Sequence, residues 1–222
     1  MVRGLVLRPM ENVKSIFVFK NLGLISYQEA YQVQLKTVAE VISGAPSMVF
    51  LCEHPAVLTL GRLAAEQNIL ASPAELTKRK VELAKIDRGG EVTLHNPGQL
   101  VVYPIINLNE HGRDLRVYLH KVEQVAIDLL GDFDILAKRI EGQRGVWVKN
   151  CKIASIGIGV KKWVAYHGIA INVCNDLNLF SIIRPCGLDV RMASIESLKA
   201  SKITMADVKN RFMHHWSRNF SA

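Results

Sequence analysis

The stretch that most constrains the fold of this chain runs from residue 152 to residue 187. It contains two apolar runs separated by the polar pair Lys161 and Lys162. This pattern predicts a β-hairpin that turns at the two lysines and continues into a loop. Such a layout would bring a lysine, a histidine and a cysteine to one place. Because a thiol beside a cation has a lowered pKa, the stretch predicts Cys186 as a nucleophile, Lys152 as its partner, and acyl transfer as the reaction.

Length and composition exclude several classes of protein. With 222 residues, of which 49% are hydrophobic and 22% charged, the chain can bury a sizeable core. It has no run of about 18 apolar residues and no secretory signal at its start, so we expect a cytoplasmic protein without a membrane partner.

The four cysteines predict reduced thiols rather than disulfides. They stand at wide spacings, with no Cys-x-x-Cys pair and no Cys/His cluster, so no metal site is expected. Cys52 and Cys174 lie inside apolar runs, which predicts core positions for both. Cys151 precedes Lys152 in a predicted strand and would point to the opposite face.

The formal charge of +8, from 28 Lys and Arg against 20 Asp and Glu, indicates a basic surface. The basic residues are scattered and no nucleic-acid motif accompanies them, so no nucleic-acid partner is predicted. Such a surface could steer acidic proteins to a site, and an ordinary solvated surface explains the charge equally well.

Capping and periodicity patterns predict the main elements of one domain over residues 1–222. Ser26 opens a helix with a capping box, Asp114 caps a helix that runs to about Leu130, and a last helix begins near Thr204. Strands lie between these helices without regular alternation, and Pro104 predicts an edge strand or a bulge. The expected fold class is therefore α/β, a single domain with a mixed β-sheet packed with helices.

Two adjacent glycines mark a second candidate site. Gly89 and Gly90 would bring backbone amides close to a ligand, with Arg88 and His95 adding polar groups at either end. An ordinary hairpin fits the same pattern. The segment is neither a Walker loop nor a dinucleotide fingerprint, since it lacks the required ending and no helix pattern follows.

Three motifs make the chain resemble the lipoyl(octanoyl) transferases, whose fold is related to that of lipoate and biotin protein ligases. The first covers residues 88–95 and continues through Pro97-Gly98-Gln99-Leu100. The second is Lys152-Ile153-Ala154-Ser155-Ile156-Gly157, followed by residues 166–173, and the third is Pro185-Cys186-Gly187-Leu188.

The resemblance implies an enzyme that moves an octanoyl group from acyl carrier protein to a lysine of lipoyl domains. Its acceptors would be 2-oxoacid dehydrogenase E2 subunits and the glycine cleavage H protein, and it would need neither ATP nor a metal cofactor. Cys186 would hold the acyl group as a thioester, while Lys152 lowers the pKa of that thiol and handles its proton. The residues expected to line the acyl pocket are Arg88, Gly89, Gly90, Glu91, Val92, Thr93, Leu94, His95, Ser155, Ile156, Gly157, His167, Gly168, Ile169 and Ala170.

Other functions remain open from the sequence. An ATP-dependent lipoate or biotin protein ligase has the related fold, and a lipoyl amidotransferase would differ only in its donor. A non-catalytic module that binds proteins through its basic surface is the third possibility. On pattern alone, His95 and His167 fit structural histidines, and Lys152 fits a lysine that reaches solvent. A monomer is expected.

Overall fold

A central hairpin organises the computed structural model, which describes residues 17–184 and 190–221. Strand β9 (Cys151–Lys161) pairs antiparallel with β10 (Val164–Asn172), and the chain turns at Lys162 and Trp163. Both turn residues have a positive φ, 47° and 63°. The predicted hairpin is confirmed. Cys186, the predicted nucleophile, lies outside the described residues.

Within the described residues the hairpin lies in an eight-stranded mixed sheet. The order is β1, β2, β6, β10, β9, β8, β7, and β11 pairs with the start of β9. The β1–β2 and β9–β11 pairs are parallel, and the others are antiparallel. The remaining strands of this sheet are β1 (Val18–Leu24), β2 (Met48–Glu53), β6 (Gln99–Asn107), β7 (Lys138–Ile140), β8 (Gln143–Val148) and β11 (Arg191–Met192).

A smaller sheet of three strands lies beside the large one. Its central strand, β3, pairs parallel with β4 and antiparallel with β5. Its core includes Leu58, Leu94 and Phe180. The strands are β3 (Val57–Leu60), β4 (Glu82–Lys85) and β5 (Val92–His95).

Both faces of the large sheet are covered by helices. In β6, Val102 and Ile106 point into the core that also includes residues of α3 and α5, whereas Val101 and Ile105 point into the core shared with α1. This alternation is the period of two expected for a strand buried on both faces. The helices are α1 (Tyr27–Ile42), α2 (Pro73–Lys78), α3 (Leu115–Gly131), α4 (Ile195–Lys199) and α5 (Met205–Phe220).

The predicted helix starts are confirmed. The hydroxyl of Ser26 accepts a hydrogen bond from the backbone N–H of Glu29, whose carboxylate accepts one from the N–H of Ser26 in return. The carboxylate of Asp114 accepts hydrogen bonds from the N–H groups of Arg116 and Val117. These caps satisfy amides that have no partner inside a helix.

Pro104 lies in a central strand whose pairings show no register shift, so the expectation of an edge strand or a bulge was wrong. Strand β6 has neighbours on both sides, and the β6–β10 ladder has the same register before and after a gap between Ala165 and Ile169. That register places His167 opposite Pro104. Proline has no N–H to donate, and His167 takes a positive φ of 56° at this point. The ladder is thus interrupted in β10.

Of the two core positions predicted for cysteines, one is confirmed and the other is wrong. Cys52 is fully buried in the core shared with α1, as expected. Cys174 is exposed, so its predicted core position was wrong. It follows the end of β10, where the apolar run continues beyond the last paired residue.

Candidate active site

The glycine loop before β5 lies directly on strand β9. The N–H of Gly89 donates to the carbonyl of Ile158 at 2.8 Å. A Cβ at Gly157 would come within 2.9 Å of the Gly89 carbonyl, and a Cβ at Gly61 would collide with the carbonyl of Gly90. These two glycines therefore permit the close approach of the loop to the two sheets.

Arg88 fastens this loop from inside. Its guanidinium donates to the carbonyl and to the hydroxyl of Thr59, both at 2.9 Å, and to the carbonyl of Gly89 at 3.1 Å. The residue is buried, with 7% of its surface exposed. Because the guanidinium group of Arg88 donates its hydrogen bonds to groups of the protein, Arg88 stabilises the wall of the site.

A small cavity of about 50 Å³ lies beneath the loop, on the face of the sheet that α1 covers. Its wall combines apolar side chains, glycine backbone and the rings of two tyrosines and two histidines. The residues that line it are Tyr27, Arg88, Gly90, Glu91, Val92, Thr93, His95, Val101, Tyr103, Lys152, Ser155, Ile156, Gly157, His167, Gly168, Ile169 and Ala170.

His95 contributes a neutral ring to this cavity. The amide nitrogen of Gln99 donates to Asn172, so the Gln99 oxygen is free to accept from Nδ1–H of His95 at 2.7 Å. Nε2 of His95 therefore carries no proton. Burial, with a smaller contribution from His54, lowers the pKa of His95 to about 3.

His167 is held by a hydrogen-bond network around Asp87. Its Nε2 donates to the Asp87 carboxylate at 2.9 Å, and Tyr31 and Tyr166 donate to the same carboxylate. Burial alone would raise the pKa of Asp87, but these three hydrogen bonds outweigh it and lower that pKa to about 2. Nδ1 of His167 faces the hydroxyl of Tyr27 at 3.4 Å. Burial also lowers the pKa of His167, which favours the neutral ring.

Lys152 is buried beside the cavity, with 3% of its surface exposed. Strand β8 passes it on one side and β11 pairs with it on the other, through Met192. Its Nζ lies 5.4 Å from the centre of the Trp147 ring. A Cβ at Gly145 would approach Cε of Lys152 to 2.7 Å. The alternative that Lys152 reaches solvent is therefore wrong.

A larger cleft of about 490 Å³ lies next to the small cavity. The two share one boundary, formed by Gly90, Glu91, Lys152, Ile156 and Gly157. The rest of the cleft is lined by Gly89, Leu115, Arg116, Leu119, Gly142, Gln143, Arg144, Trp147, Ile158 and Val190. Lys152 therefore lies where the larger cleft meets the small, mostly apolar cavity.

The structure brings most of the predicted site residues together. Gly89 lines the cleft rather than the small cavity, and Leu94 lines neither, since its side chain packs in the core of the smaller sheet. Sequence reasoning missed Tyr27, Val101 and Tyr103 on the small cavity. Two sequence features could have indicated these residues. Tyr27 is the first residue of helix α1, next to the capping serine, and Val101 and Tyr103 lie two apart in β6 and therefore share one face of the strand.

The described residues contain no group of three or more His, Cys, Asp or Glu side chains that could hold a metal ion. In the same part of the chain no helix is both long and apolar enough to cross a membrane.

Solved structures with the same architecture define the class of fold. A putative lipoate protein ligase from T. acidophilum with bound lipoic acid superposes with a TM-score of 0.74 at 14% identity, covering 91% of this chain and 85% of that one. A lipoate-protein ligase A bound with ATP gives 0.72 at 13% identity, with coverages of 92% and 85%. A biotin protein ligase from Aquifex aeolicus gives 0.54 at 14% identity, with coverages of 91% and 69%. The predicted α/β domain of the lipoate and biotin ligase type is thus confirmed.

Sequence comparison gives the family. The lipoyl protein ligase A/B catalytic domain matches residues 26–217, and the chain belongs to that family. It is 43% identical to an octanoyltransferase of Syntrophotalea carbinolica over 199 residues, 89% of this chain and 91% of that one. An octanoyltransferase of Thermosynechococcus vestitus is 42% identical over 201 residues, 90% and 88% of the two chains.

Proposed function

We propose that this protein is an octanoyltransferase that moves an octanoyl group from acyl carrier protein to a lysine of a lipoyl domain through a thioester on Cys186. The observation that carries the proposal is the position of Lys152, buried between an apolar cavity and a cleft that leads to the surface. The octanoyltransferases that match about nine tenths of the chain support it.

The chemistry of the cavity suits a medium-length acyl chain. Its histidines are neutral, and their ring hydrogens are given to Gln99 and Asp87 rather than offered to a ligand. The guanidinium of Arg88 is bound to Thr59 and Gly89. An occupant would therefore meet few polar groups in need of a partner, which favours a hydrocarbon tail.

The chain on the C-terminal side of Cys186 supports its pairing with Lys152. Val190, four residues after Cys186 in the sequence, lines the cleft, and Met192 pairs with Lys152 across the two strands.

The reaction would proceed in two acyl transfers. In the first, Lys152 accepts the thiol proton, the Cys186 thiolate attacks the octanoyl carbonyl, and the carrier thiolate leaves and takes up that proton from Lys152, which is again able to accept one. In the second, the amine of the acceptor lysine attacks the enzyme thioester and forms an amide. The Cys186 thiolate leaves, and the amine loses its proton through Lys152. No ATP is required, since the donor is already a thioester.

The acceptors we propose are the lipoyl domains of 2-oxoacid dehydrogenase E2 subunits and the glycine cleavage H protein. We further propose that the protein acts as a cytoplasmic monomer comprising one catalytic domain, without a metal.

Intact-protein mass spectrometry tests the proposal. Mixing with octanoyl-acyl carrier protein should add one octanoyl group that hydroxylamine removes and that an added lipoyl domain discharges. The Cys186→Ala protein should show no adduct. Cys174→Ala is the matched control, because Cys174 is an exposed cysteine. Partial desolvation of its thiol, together with nearby Glu196 and Glu53, raises the pKa of Cys174 and makes it a poor nucleophile, so the Cys174→Ala protein should be acylated normally.

Transfer by the Cys186→Ala protein, or a requirement for ATP and free octanoate, would refute the thioester route. The second of these results would support the ligase alternative instead.

A further inference from the structure

The side chains that line the larger cleft change from one end to the other. Its inner end is Lys152, at the boundary with the small cavity. Leu119, Trp147 and Ile158 form apolar walls, and Arg116 and Arg144 contribute two exposed guanidinium groups at the surface. At about 490 Å³, the cleft falls within the range of about 300–1,000 Å³ typical of small-molecule pockets.

The two arginines are available to a ligand. Within residues 17–184 and 190–221, neither Arg116 nor Arg144 donates a side-chain hydrogen bond or forms an ion pair. Asp114 caps α3, and Glu91, at the inner boundary of the cleft, accepts a hydrogen bond from the amide of Asn68 at 2.7 Å. In the described part of the chain, neither carboxylate forms an ion pair with the two arginines, whose guanidinium groups are therefore available to an anion at the outer end of the cleft.

We propose that this cleft holds the phosphopantetheine arm of octanoyl-acyl carrier protein. Arg116 and Arg144 would bind its phosphate, and its thioester would lie beside Lys152. The proposal rests on the proposed octanoyl transfer. A phosphodiester at one end, amides in the middle and an acyl thioester at the other end match, in order, the guanidinium groups, the apolar walls and the entrance to the small cavity. Arginine suits phosphate because its planar fork donates two hydrogen bonds at once.

Charge favours the donor arm over the acceptor as occupant. The acceptor lysine arrives as an ammonium group on an otherwise apolar stem, which Arg116 and Arg144 would repel. The phosphate of the donor arm is drawn to the same two residues.

The test compares two small donors that differ only in the phosphate, octanoyl-4′-phosphopantetheine and octanoyl-pantetheine, in transfer to a lipoyl domain. Charge-assisted hydrogen bonds to the phosphate should give the wild-type protein a kcat/KM at least about tenfold higher for the phosphorylated donor. The Arg116→Gln/Arg144→Gln protein should bring that ratio close to one. Added salt should reduce the wild-type preference, since both guanidinium groups are exposed.

Arg218→Gln is the matched control, since this exposed arginine on α5 does not line the cleft, and it should keep the wild-type ratio. Equal use of both donors by the wild-type protein would overturn the subsite. An arginine effect confined to intact octanoyl-acyl carrier protein would also overturn it, and would assign the two residues to docking of the carrier surface. Absence of transfer with every donor would refute the octanoyltransferase function, on which the subsite depends.

Discussion

Replacing Gly145 by alanine should disturb Lys152 more than any surface substitution. Gly145 has a φ of +112°, which a residue with a Cβ rarely adopts, and its added methyl would collide with the backbone carbonyl of Ala154 and approach Cε of Lys152 to 2.7 Å. The lysine can give way, but the carbonyl belongs to β9 and cannot move without opening the β8–β9 pair. Backbone strain of about 1–3 kcal/mol and overpacking of about 1–3 kcal/mol together predict a loss of about 2–6 kcal/mol.

The measurement is urea denaturation of the variant beside Gly142→Ala. Gly142 also has a positive φ, 74°, but an added Cβ there meets nothing within 4 Å. This control therefore carries the backbone strain without the collision, and the difference between the variants should be about 1–3 kcal/mol at an unchanged m-value. Octanoyl transfer should fall in Gly145→Ala, and Gly142→Ala serves as the control for stability alone. Equal stabilities of the two variants, with full activity in Gly145→Ala, would refute the argument that Gly145 makes room for Lys152.

Three further predictions concern the cavity and α1. The pKa of His95 is lowered from 6.5 in the unfolded chain to about 3 in the folded protein, so between these pH values the unfolded state binds a proton that the folded state does not. The contribution of His95 to the free energy of unfolding is therefore full above pH 6.5 and falls on acidification by up to about 1.4 kcal/mol per pH unit. A plot of unfolding free energy against pH should have a smaller slope for His95→Gln. Ala170→Val should fill part of the 50 Å³ cavity and shift the kcat/KM ratio from octanoyl towards hexanoyl donors by about tenfold, the worth of two methylenes, and an unchanged ratio would place the tail elsewhere. Ser26→Ala should cost about 1 kcal/mol in thermal or urea unfolding without changing transfer, since it removes only a cap.

Local patterns carried the sequence predictions that succeeded. The caps at Ser26 and Asp114 and the hairpin at Lys161 depend on residues within a few positions of one another, so they can be read without the fold. That the glycine loop and the Lys152 strand share one pocket was expected only from the resemblance to the transferase family. The structure supplies the reason, since Gly157 has no Cβ to keep the loop away from β9.

Leu94 shows where the transfer of a whole motif fails. In β5 the side chains of Thr93 and His95 reach the small cavity, while Leu94 points into the core of the smaller sheet. A strand alternates its faces, so a block of consecutive residues cannot all line one pocket. Applying the period of two to residues 92–95 separates Thr93 and His95 from Leu94, although Val92, on the same face as Leu94, still reaches the cavity at the start of the strand.

The second cleft could not be predicted from sequence, because its two sides come from distant segments. Leu115 and Arg116 open helix α3, whereas Arg144 and Trp147 lie in β8. No spacing rule links these positions. The packing of a helix end beside a sheet brings them together, and that depends on the whole core between α3 and the strands.

The position of His167 follows from a defect in the sheet rather than from its regularity. Pro104 cannot donate to the ladder, so the strand opposite is released from pairing at His167, whose own N–H donates to Gln34 of α1 at 2.9 Å. A histidine with a positive φ costs free energy, of order 1–3 kcal/mol, and the hydrogen bonds that His167 donates to Gln34 and to Asp87 offset it. The released residue lines the small cavity as a neutral ring, while Lys152 lies at the boundary with the cleft. The N–H groups of the His167 and His95 rings are paired with Asp87 and Gln99, so they are turned away from the space proposed for the hydrocarbon tail.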